Sequence, residues 1–411
     1  MKRLVRWGML ASLLASAVAC FGQSGPSPTA PSAEQLRQSA LVLEQQGRNA
    51  EAEAAWRAYV RARPANPEPY AHLGLLEARQ EHYAQAIPLY RKALAINPNV
   101  PAVRRDLGLA CFKNGDLHGA IREFSLLLKS KPDDFQLVTL TGMSYYGLAQ
   151  YKEAVPYLQQ AAEADKTNLP LRLALAHSCL WSKQYKCVMS TYHEILALNS
   201  DSAEADMIAA EALDEEQDNA GSTELFRRAA QANPKEPNVH FGLAYLLWTQ
   251  KRYAEAATEF QAELANDPNH LQSMEYLADT YIQMNQMSAA KPLLERVVKK
   301  DSSLPLVHLD LAILYTEADQ KPDALRELLA AEKLAPNEVD VHWRLGRLYR
   351  SMGKINEAKA EFDKAAALNK AHDDENFRRI AEANARKAKT AAPGSAQPAP
   401  PDQPAPTTPN R

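Results

Sequence analysis

The sequence predicts an all-α solenoid of helix–turn–helix repeats, and three observations lead to this fold. The chain repeats with a period of 34 residues over 33–372, with no insertion or deletion, so ten repeats follow one another. Every repeat has Ala or Gly at its eighth position and a large apolar residue at its twenty-fourth. The 411 residues include only 15 glycines, which leaves few for the tight turns of a β-rich fold.

Each repeat is predicted to contain two closely packed helices. Positions 4, 7, 8 and 11 share one face of a first helix, and positions 20, 24 and 27 share one face of a second. Small residues at positions 8 and 20 let the helices approach, and the large residue at position 24 fills the space beside them. A single repeat is too small to bury its apolar face alone, so the repeats must stack.

We expect the second helix of most repeats to end at position 31. Seven repeats have Asn or Asp there, and six have Pro at the next position. Asn tolerates the left-handed conformation that ends a helix, and Pro prevents its continuation. We therefore expect a left-handed residue at Asn97, Asn199, Asn233 and Asp301.

The first 22 residues are expected to be an export signal. Three basic residues precede an uncharged run over 7–19, which is long enough for a signal peptide and too short to cross a bilayer. The run ends in a small-x-small sequence before Cys20, which suits ordinary signal peptidase and also resembles a bacterial lipobox, so lipidation of Cys20 stays open. Residues 23–32 are predicted to be a flexible linker. We expect no transmembrane helix in the mature chain.

The sequence after the repeats is predicted to contain a capping helix and a tail. Asp373 or Asp374 can cap a further helix over 373–389, whose narrow apolar stripe of Phe377, Ile380 and Ala381 would cover the open end of the stack. Residues 390–411 contain seven prolines and two charged residues, so we predict a disordered tail.

These columns resemble the tetratricopeptide repeat over 33–372. The resemblance implies a right-handed superhelical solenoid whose first helices line a concave groove through positions 2, 5, 9, 12 and 13. It also implies a protein or peptide partner in that groove. The candidate partner-binding residues transferred in this way are Arg79, Arg105, Phe112, Met143, Tyr146, Leu173, His177, Trp181, Phe241, Tyr245, Trp248, Trp343 and Arg347. Between them, repeat six contributes Glu211, Asp214 and Glu215, and repeat eight Glu275 and Asp279.

Charge and motifs exclude several functions. The net charge is −3 and no basic block is present, which argues against nucleic acid as a partner. The sequence contains no nucleophile elbow, zinc-protease or phosphate-loop motif, so we expect neither an enzyme nor a cofactor. The function expected is a non-enzymatic scaffold of the bacterial cell envelope, periplasmic, associated with the outer membrane or secreted. The alternative is a subunit that presents substrate to a separate glycosyltransferase or protease.

The fifth repeat concentrates cysteine and histidine. His177, Cys179, Cys187 and His193 do not have the usual spacing of zinc ligands, and we expect no metal there. A disulfide between Cys179 and Cys187 is the candidate for an oxidising compartment, and two buried free thiols are the alternative. Cys111 would remain free.

Three histidines share position 4 of their repeats. His240, His308 and His342 lie in a column that faces the neighbouring repeat. They are either a functional histidine ladder or partly buried packing residues, and the second interpretation is favoured.

Overall fold

The structure, a computed structural model, describes residues 31–391, but of the side chains of 376, 377 and 379–391 nothing is described. The predicted signal peptide, Cys20 and most of the predicted linker lie outside these residues. So do residues 392–411 of the predicted tail and the side chains of the predicted capping stripe. Within 31–391 the chain forms twenty helices and no strand, which confirms the all-α fold class.

The described residues divide into two compact units, which meet in the chain between Lys166 and Thr167. Helices α1 to α8 of the first unit are Ala33–Gln45, Asn49–Ala62, Glu68–Arg79, Tyr83–Ile96, Pro101–Lys113, Leu117–Leu128, Phe135–Gly147 and Tyr151–Ala164. Helices α9 to α20 of the second unit are Leu169–Trp181, Tyr185–Leu198, Ala203–Glu215, Asn219–Ala232, Val239–Thr249, Tyr253–Asn266, Leu271–Gln283, Met287–Lys300, Pro305–Glu317, Lys321–Leu334, Val339–Ser351 and Ile355–Ala391.

Helix starts follow the 34-residue period closely. The first helices begin at the predicted repeat boundaries, except that α3 begins at Glu68 and α13 at Val239, one and two residues later. The second helices begin at position 17 in all ten repeats. Within each compact unit, the two helices of a repeat pack against each other and successive repeats pack in chain order. None of the described helices is long and apolar enough to cross a membrane.

The small and large columns pack against each other as predicted. A Cβ added to Gly74 would lie 2.8 Å from the Tyr90 ring, and one added to Gly346 would lie 2.7 Å from the Phe362 ring. Where position 8 is Ala, as at Ala210, its side chain is buried. The large residue at position 24 therefore occupies the space that a side chain at position 8 would need.

The prediction of left-handed residues at position 31 was wrong. Asn97, Asn199, Asn233 and Asp301 end their helices with extended backbone, at φ between −134° and −144°. The side-chain oxygen at this position instead accepts a hydrogen bond from the backbone N–H two residues later, at 2.8 Å for Asp301 and Ser303. This Asx turn satisfies a backbone donor and needs no left-handed residue.

The left-handed residue lies at position 15, in the turn between the two helices of each repeat. All ten residues in this column have φ between +54° and +78°. Only Gly47, Gly115 and Gly353 are glycines, and the other seven carry side chains in a conformation that disfavours them.

The predicted start of a separate helix at Asp373 or Asp374 was also wrong. Helix α20 is continuous over 37 residues and passes through both aspartates to Ala391. It therefore includes the first two residues of the predicted tail. No proline or glycine interrupts the sequence between Gly353 and Pro393, so nothing local ends the helix earlier.

Candidate functional site

In the first compact unit, the predicted groove residues are partly engaged in the fold. Arg79 is exposed, whereas Phe112, Met143 and Tyr146 are half-buried. The guanidinium of Arg105 donates a hydrogen bond of 2.7 Å to Asp134, the residue that caps α7. The charge of Arg105 is therefore balanced within the protein.

In the second compact unit, three predicted groove residues surround one cavity. Trp181 is 62% exposed and Tyr245 36% exposed, and Phe241 is half-buried beside them. The cavity has a volume of about 480 Å³ and lies between α9, α11 and α13. The remaining side chains around it include Tyr185, Met207, Glu211, Asp214, Glu215 and Lys183. The predicted residues Leu173, His177 and Trp248 do not line it.

A buried glutamate fixes the start of α13, the helix that carries Phe241 and Tyr245. Glu263 accepts hydrogen bonds of 3.2 Å from the backbone N–H groups of Asn238 and Phe241. A carboxylate at a helix N-terminus satisfies free N–H donors and interacts favourably with the helix dipole. Glu263 stands in a packing column, where sequence analysis gives it no role. Its contact with α13 is what positions the aromatic wall of the cavity.

The ring of Tyr245 is held by a cluster of aromatic side chains. Its centroid lies 5.9 Å from that of Trp248 and 5.2 Å from that of Tyr276, the latter edge-on. Burial and the nearby Tyr245 raise the pKa of Tyr276 to about 12, so its hydroxyl remains neutral. Tyr276 stands at position 6, outside the groove columns, so the repeat pattern does not predict its contact with Tyr245. The ring of Tyr245 is therefore held in place by two neighbouring rings while its exposed face remains open to solvent.

The opposite wall of the cavity is acidic. Glu211, Asp214 and Glu215 project from α11 at spacings of three and four residues, which places them on one face. Burial raises the pKa of Glu211 and, with the charge of Glu215, that of Asp214. Glu215 accepts a hydrogen bond of 3.2 Å from the Tyr185 hydroxyl and lies 3.8 Å from the Lys183 ammonium. Repeat six thus places its carboxylates beside exposed rings.

The acidic residues of repeat eight do not line an open wall. Glu275 is 6% exposed, and burial together with Asp301 and Asp279 raises its pKa to about 7. Asp279 is also buried and accepts a hydrogen bond from the Trp248 indole N–H. These side chains belong to the interior of the second compact unit.

Cys179 and Cys187 are joined by a disulfide bond. Their Cα atoms lie 5.8 Å apart, and the bond connects α9 with α10 in the fifth repeat. Cys111 is a buried free thiol, and burial raises its pKa to about 11. His177 lies 3.1 Å from Glu204, a residue of the next repeat.

The position-4 histidines are each paired with a glutamate of their own repeat. The Nδ1 atoms of His240, His308 and His342 lie 2.6, 2.8 and 2.7 Å from Glu259, Glu327 and Glu361. In His342 the other ring nitrogen lies 2.8 Å from the backbone carbonyl oxygen of Pro336, so both ring nitrogens have a polar partner. Arg104 makes the equivalent contact with Glu123 in repeat three, at 2.6 Å. The column therefore places a cationic or hydrogen-bonding group against a glutamate, as part of the packing.

One group of three side chains within 31–391 has the spacing of metal ligands. It consists of Glu332, His342 and Glu361. The Lys364 ammonium lies 3.0 Å from Glu332 and 2.8 Å from Glu361, and these contacts raise its pKa. Lys364 therefore already supplies the positive charge that a metal would bring to the two carboxylates.

In the tenth repeat, the predicted residues Trp343 and Arg347 contact each other. Trp343 is exposed, and the central guanidinium carbon of Arg347 lies 4.7 Å from its ring centroid. This geometry is a cation–π contact. It shows that this fold can present an exposed indole to a cationic side chain.

Comparison with known proteins identifies the repeat. Family models described as "Tetratricopeptide repeat" together match most of the chain, at residues 37–101, 77–142, 146–212, 209–270, 247–308 and 339–372. The chain is also similar to the BBSome complex member BBS4 of Bos taurus, at 23% identity over 55% of this chain and 44% of the relative. It is 21% identical to anaphase-promoting complex subunit 3 of Schizosaccharomyces pombe, over 70% of this chain and 44% of the relative.

Both matches cover slightly less than half the length of the curated relative. Among solved structures, MamA 41-end from Desulfovibrio magneticus RS-1 is 20% identical, with a TM-score of 0.38, over 42% of this chain and 98% of that chain. Repeats of this type imply a scaffold for protein–protein interaction. From the family matches and the ten in-phase helix pairs, the chain belongs to the tetratricopeptide-repeat family.

Proposed function

We propose that this protein is a non-enzymatic scaffold of the bacterial cell envelope that binds a segment of a partner protein in the cavity between α9, α11 and α13. The observation that carries the proposal is the exposure of Trp181 and Tyr245 around one concave surface. Exposed aromatic side chains at a concavity are the usual anchors of protein recognition. The bracing of Tyr245 by Trp248 and Tyr276 reduces the entropy that binding costs.

Copurification from cell extract tests the binding surface. We expect the double variant Trp181→Ala/Tyr245→Ala to lose at least about 90% of the partner, because it removes both exposed rings. Leu329→Ala is the matched control, since Leu329 is an exposed apolar residue of α18 that lies outside the cavity. Circular dichroism would confirm that both variants remain helical. Equal partner recovery with both variants would refute the assignment.

The envelope location is supported by sequence features. Residues 1–22 have the order of an export signal, and a disulfide such as Cys179–Cys187 is typical of oxidising compartments. We expect cell fractionation to recover the protein outside the cytoplasm. The intact mass of the mature chain distinguishes the two processing routes, because a lipidated chain begins at Cys20 and carries the mass of its acyl groups. Recovery from the cytoplasm with an uncleaved N-terminus would contradict the location.

A further inference from the structure

The cavity between α9, α11 and α13 has more negative than positive charge. Three carboxylates, those of Glu211, Asp214 and Glu215, face a single ammonium, that of Lys183. Lys183 lies beside Glu215, which also accepts a hydrogen bond from the Tyr185 hydroxyl. Neither Lys183 nor Tyr185 makes such a contact with Glu211 or Asp214.

Glu211 and Asp214 lack partners in the part of the chain that the structure describes. Neither has a hydrogen bond or a salt bridge with a residue in 31–391, although both lie in the wall of a concavity. By exposed area, Glu211 is open to solvent and Asp214 is half-buried, and His177 attracts Glu211 without a direct hydrogen bond or salt bridge. Partial burial of the carboxyl groups raises the pKa of both. A cation that entered the cavity would supply what both groups lack.

The aromatic wall suits the same kind of ligand. Trp181 and Tyr245 present exposed rings to the cavity that the acidic face of α11 also borders. Ring faces attract cations, and the attraction increases when the cation is partly desolvated. Arg347 over Trp343 is an example of this contact elsewhere in the chain. A guanidinium or ammonium group could therefore contact a ring and a carboxylate together.

We propose that the cavity binds an arginine or lysine side chain of the partner segment, between the carboxylates of Glu211 and Asp214 and the rings of Trp181 and Tyr245. This inference rests on the proposed function and specifies the partner as a basic segment. The volume of about 480 Å³ lies within the range of small ligand pockets and admits one long side chain with its flanking residues. The carboxylates would set the preference for charge, and the rings would contribute buried area.

A peptide selection tests this inference. A randomised peptide library displayed on phage is selected against the protein, and the affinity of selected peptides is measured by fluorescence anisotropy. We expect enrichment of arginine and lysine. We also expect Glu211→Gln/Asp214→Asn to weaken binding at least about tenfold, because each lost charge-assisted contact is a strong one. Glu216→Gln/Glu224→Gln is the control, since it removes the same charge from exposed positions outside the cavity. We expect the control to change affinity less than about twofold.

The outcomes separate the inference from the proposed function. Peptides that lose affinity with Tyr245→Ala, but have no basic enrichment and bind Glu211→Gln/Asp214→Asn normally, would overturn the inference and leave the docking site in place. Equal weakening by the cavity and control variants would also overturn it, because a long-range charge effect would then be sufficient. A selection without any peptide that depends on Tyr245 would overturn both.

Discussion

Two buried aspartates of the second compact unit differ in how the fold treats their charge. Asp206 of α11 is fully buried, accepts a hydrogen bond of 3.1 Å from the Tyr192 hydroxyl and pairs with the Arg228 guanidinium at 2.7 Å. Asp310 of α17 is 1% exposed, and neither of its carboxyl oxygens has a hydrogen-bond partner among the described residues. Asp206 therefore belongs to a hydrogen-bonded network that includes a cation, whereas Asp310 has no such partner among the described residues.

The difference shows that burial alone does not decide how the fold accommodates a carboxyl group. Burial, with the charges of Asp279 and Glu275, raises the pKa of Asp310 well above its ordinary range. Burial between α15 and α17 therefore favours the protonated form of Glu275 and Asp310, whereas α12 supplies a cation to the buried carboxyl group of α11. Variants of Arg228 and of Glu275 test this contrast, and variants of the position-15 turns test the backbone of the repeats.

The largest effect is expected where the charged network is broken. Arg228→Met keeps an apolar side chain beside Tyr192 but leaves Asp206 buried without its cation. Removal of one partner of a fully buried ion pair costs about 3–5 kcal/mol, and because the Arg228 side chain is 44% exposed we expect the lower end of that range. We expect urea denaturation at neutral pH to show a loss of this size, and hydrogen exchange to place it in α10 to α12.

The control for this variant is the double change Asp206→Asn/Arg228→Met. Because it removes both charges, it should recover much of the lost stability. A single variant as stable as the double one would mean that Asp206 gains nothing from Arg228.

A smaller effect, of opposite sign, is expected at Glu275. Its folded pKa of about 7 lies above the ordinary 4.5, so folding favours the protonated acid. This group therefore does not affect the free energy of unfolding at pH 4, and it lowers that free energy as pH rises from about 4.5 to 7. Glu275→Gln removes that titration and should stabilise the protein by up to about 3 kcal/mol at pH 8.5, with no gain at pH 4.

Thermal or urea unfolding across that pH range gives the comparison, with Glu317→Gln as an exposed control on α17. A gain that is the same at pH 4 and pH 8.5 would contradict the assignment of the effect to this carboxyl group. The groups around Glu275 are themselves acidic, namely Asp279, Asp301 and Asp310.

The sequence predicts the helices well because each column is repeated ten times. The small residue at position 8 and the large one at position 24 meet within one repeat, where local spacing determines the contact. The cavity is harder to predict, since its features depend on single side-chain contacts that the other repeats do not share. Glu263 caps the helix of Phe241 from 22 residues away within one repeat, and Tyr276 contacts Tyr245 from the next repeat. The 34-residue period does not predict either contact.

The turn at position 15 is a different kind of miss. The left-handed residue was predicted at the end of the second helix, whereas in every repeat it lies between the two helices. A signal was present, because this column contains three glycines together with Asn285 and Asp319. The other residues of the column, such as Lys251 and Ala149, do not favour a left-handed conformation, so the column as a whole does not predict one. Helix packing imposes the turn even where the residue type disfavours it.

The smallest effect is therefore expected in this turn, and it occurs in both compact units. Ala149→Gly and Lys251→Gly should each stabilise the protein by about 0.5–1 kcal/mol, because glycine has no Cβ to strain at positive φ. Gly115→Ala should cost about as much, and since a Cβ there would meet no atom within 4 Å, the loss would come from the backbone alone. Ala360→Gly, an exposed position inside α20, is the matched control and should destabilise. If urea midpoints fell equally for Ala149→Gly and Ala360→Gly, the turn would carry no strain.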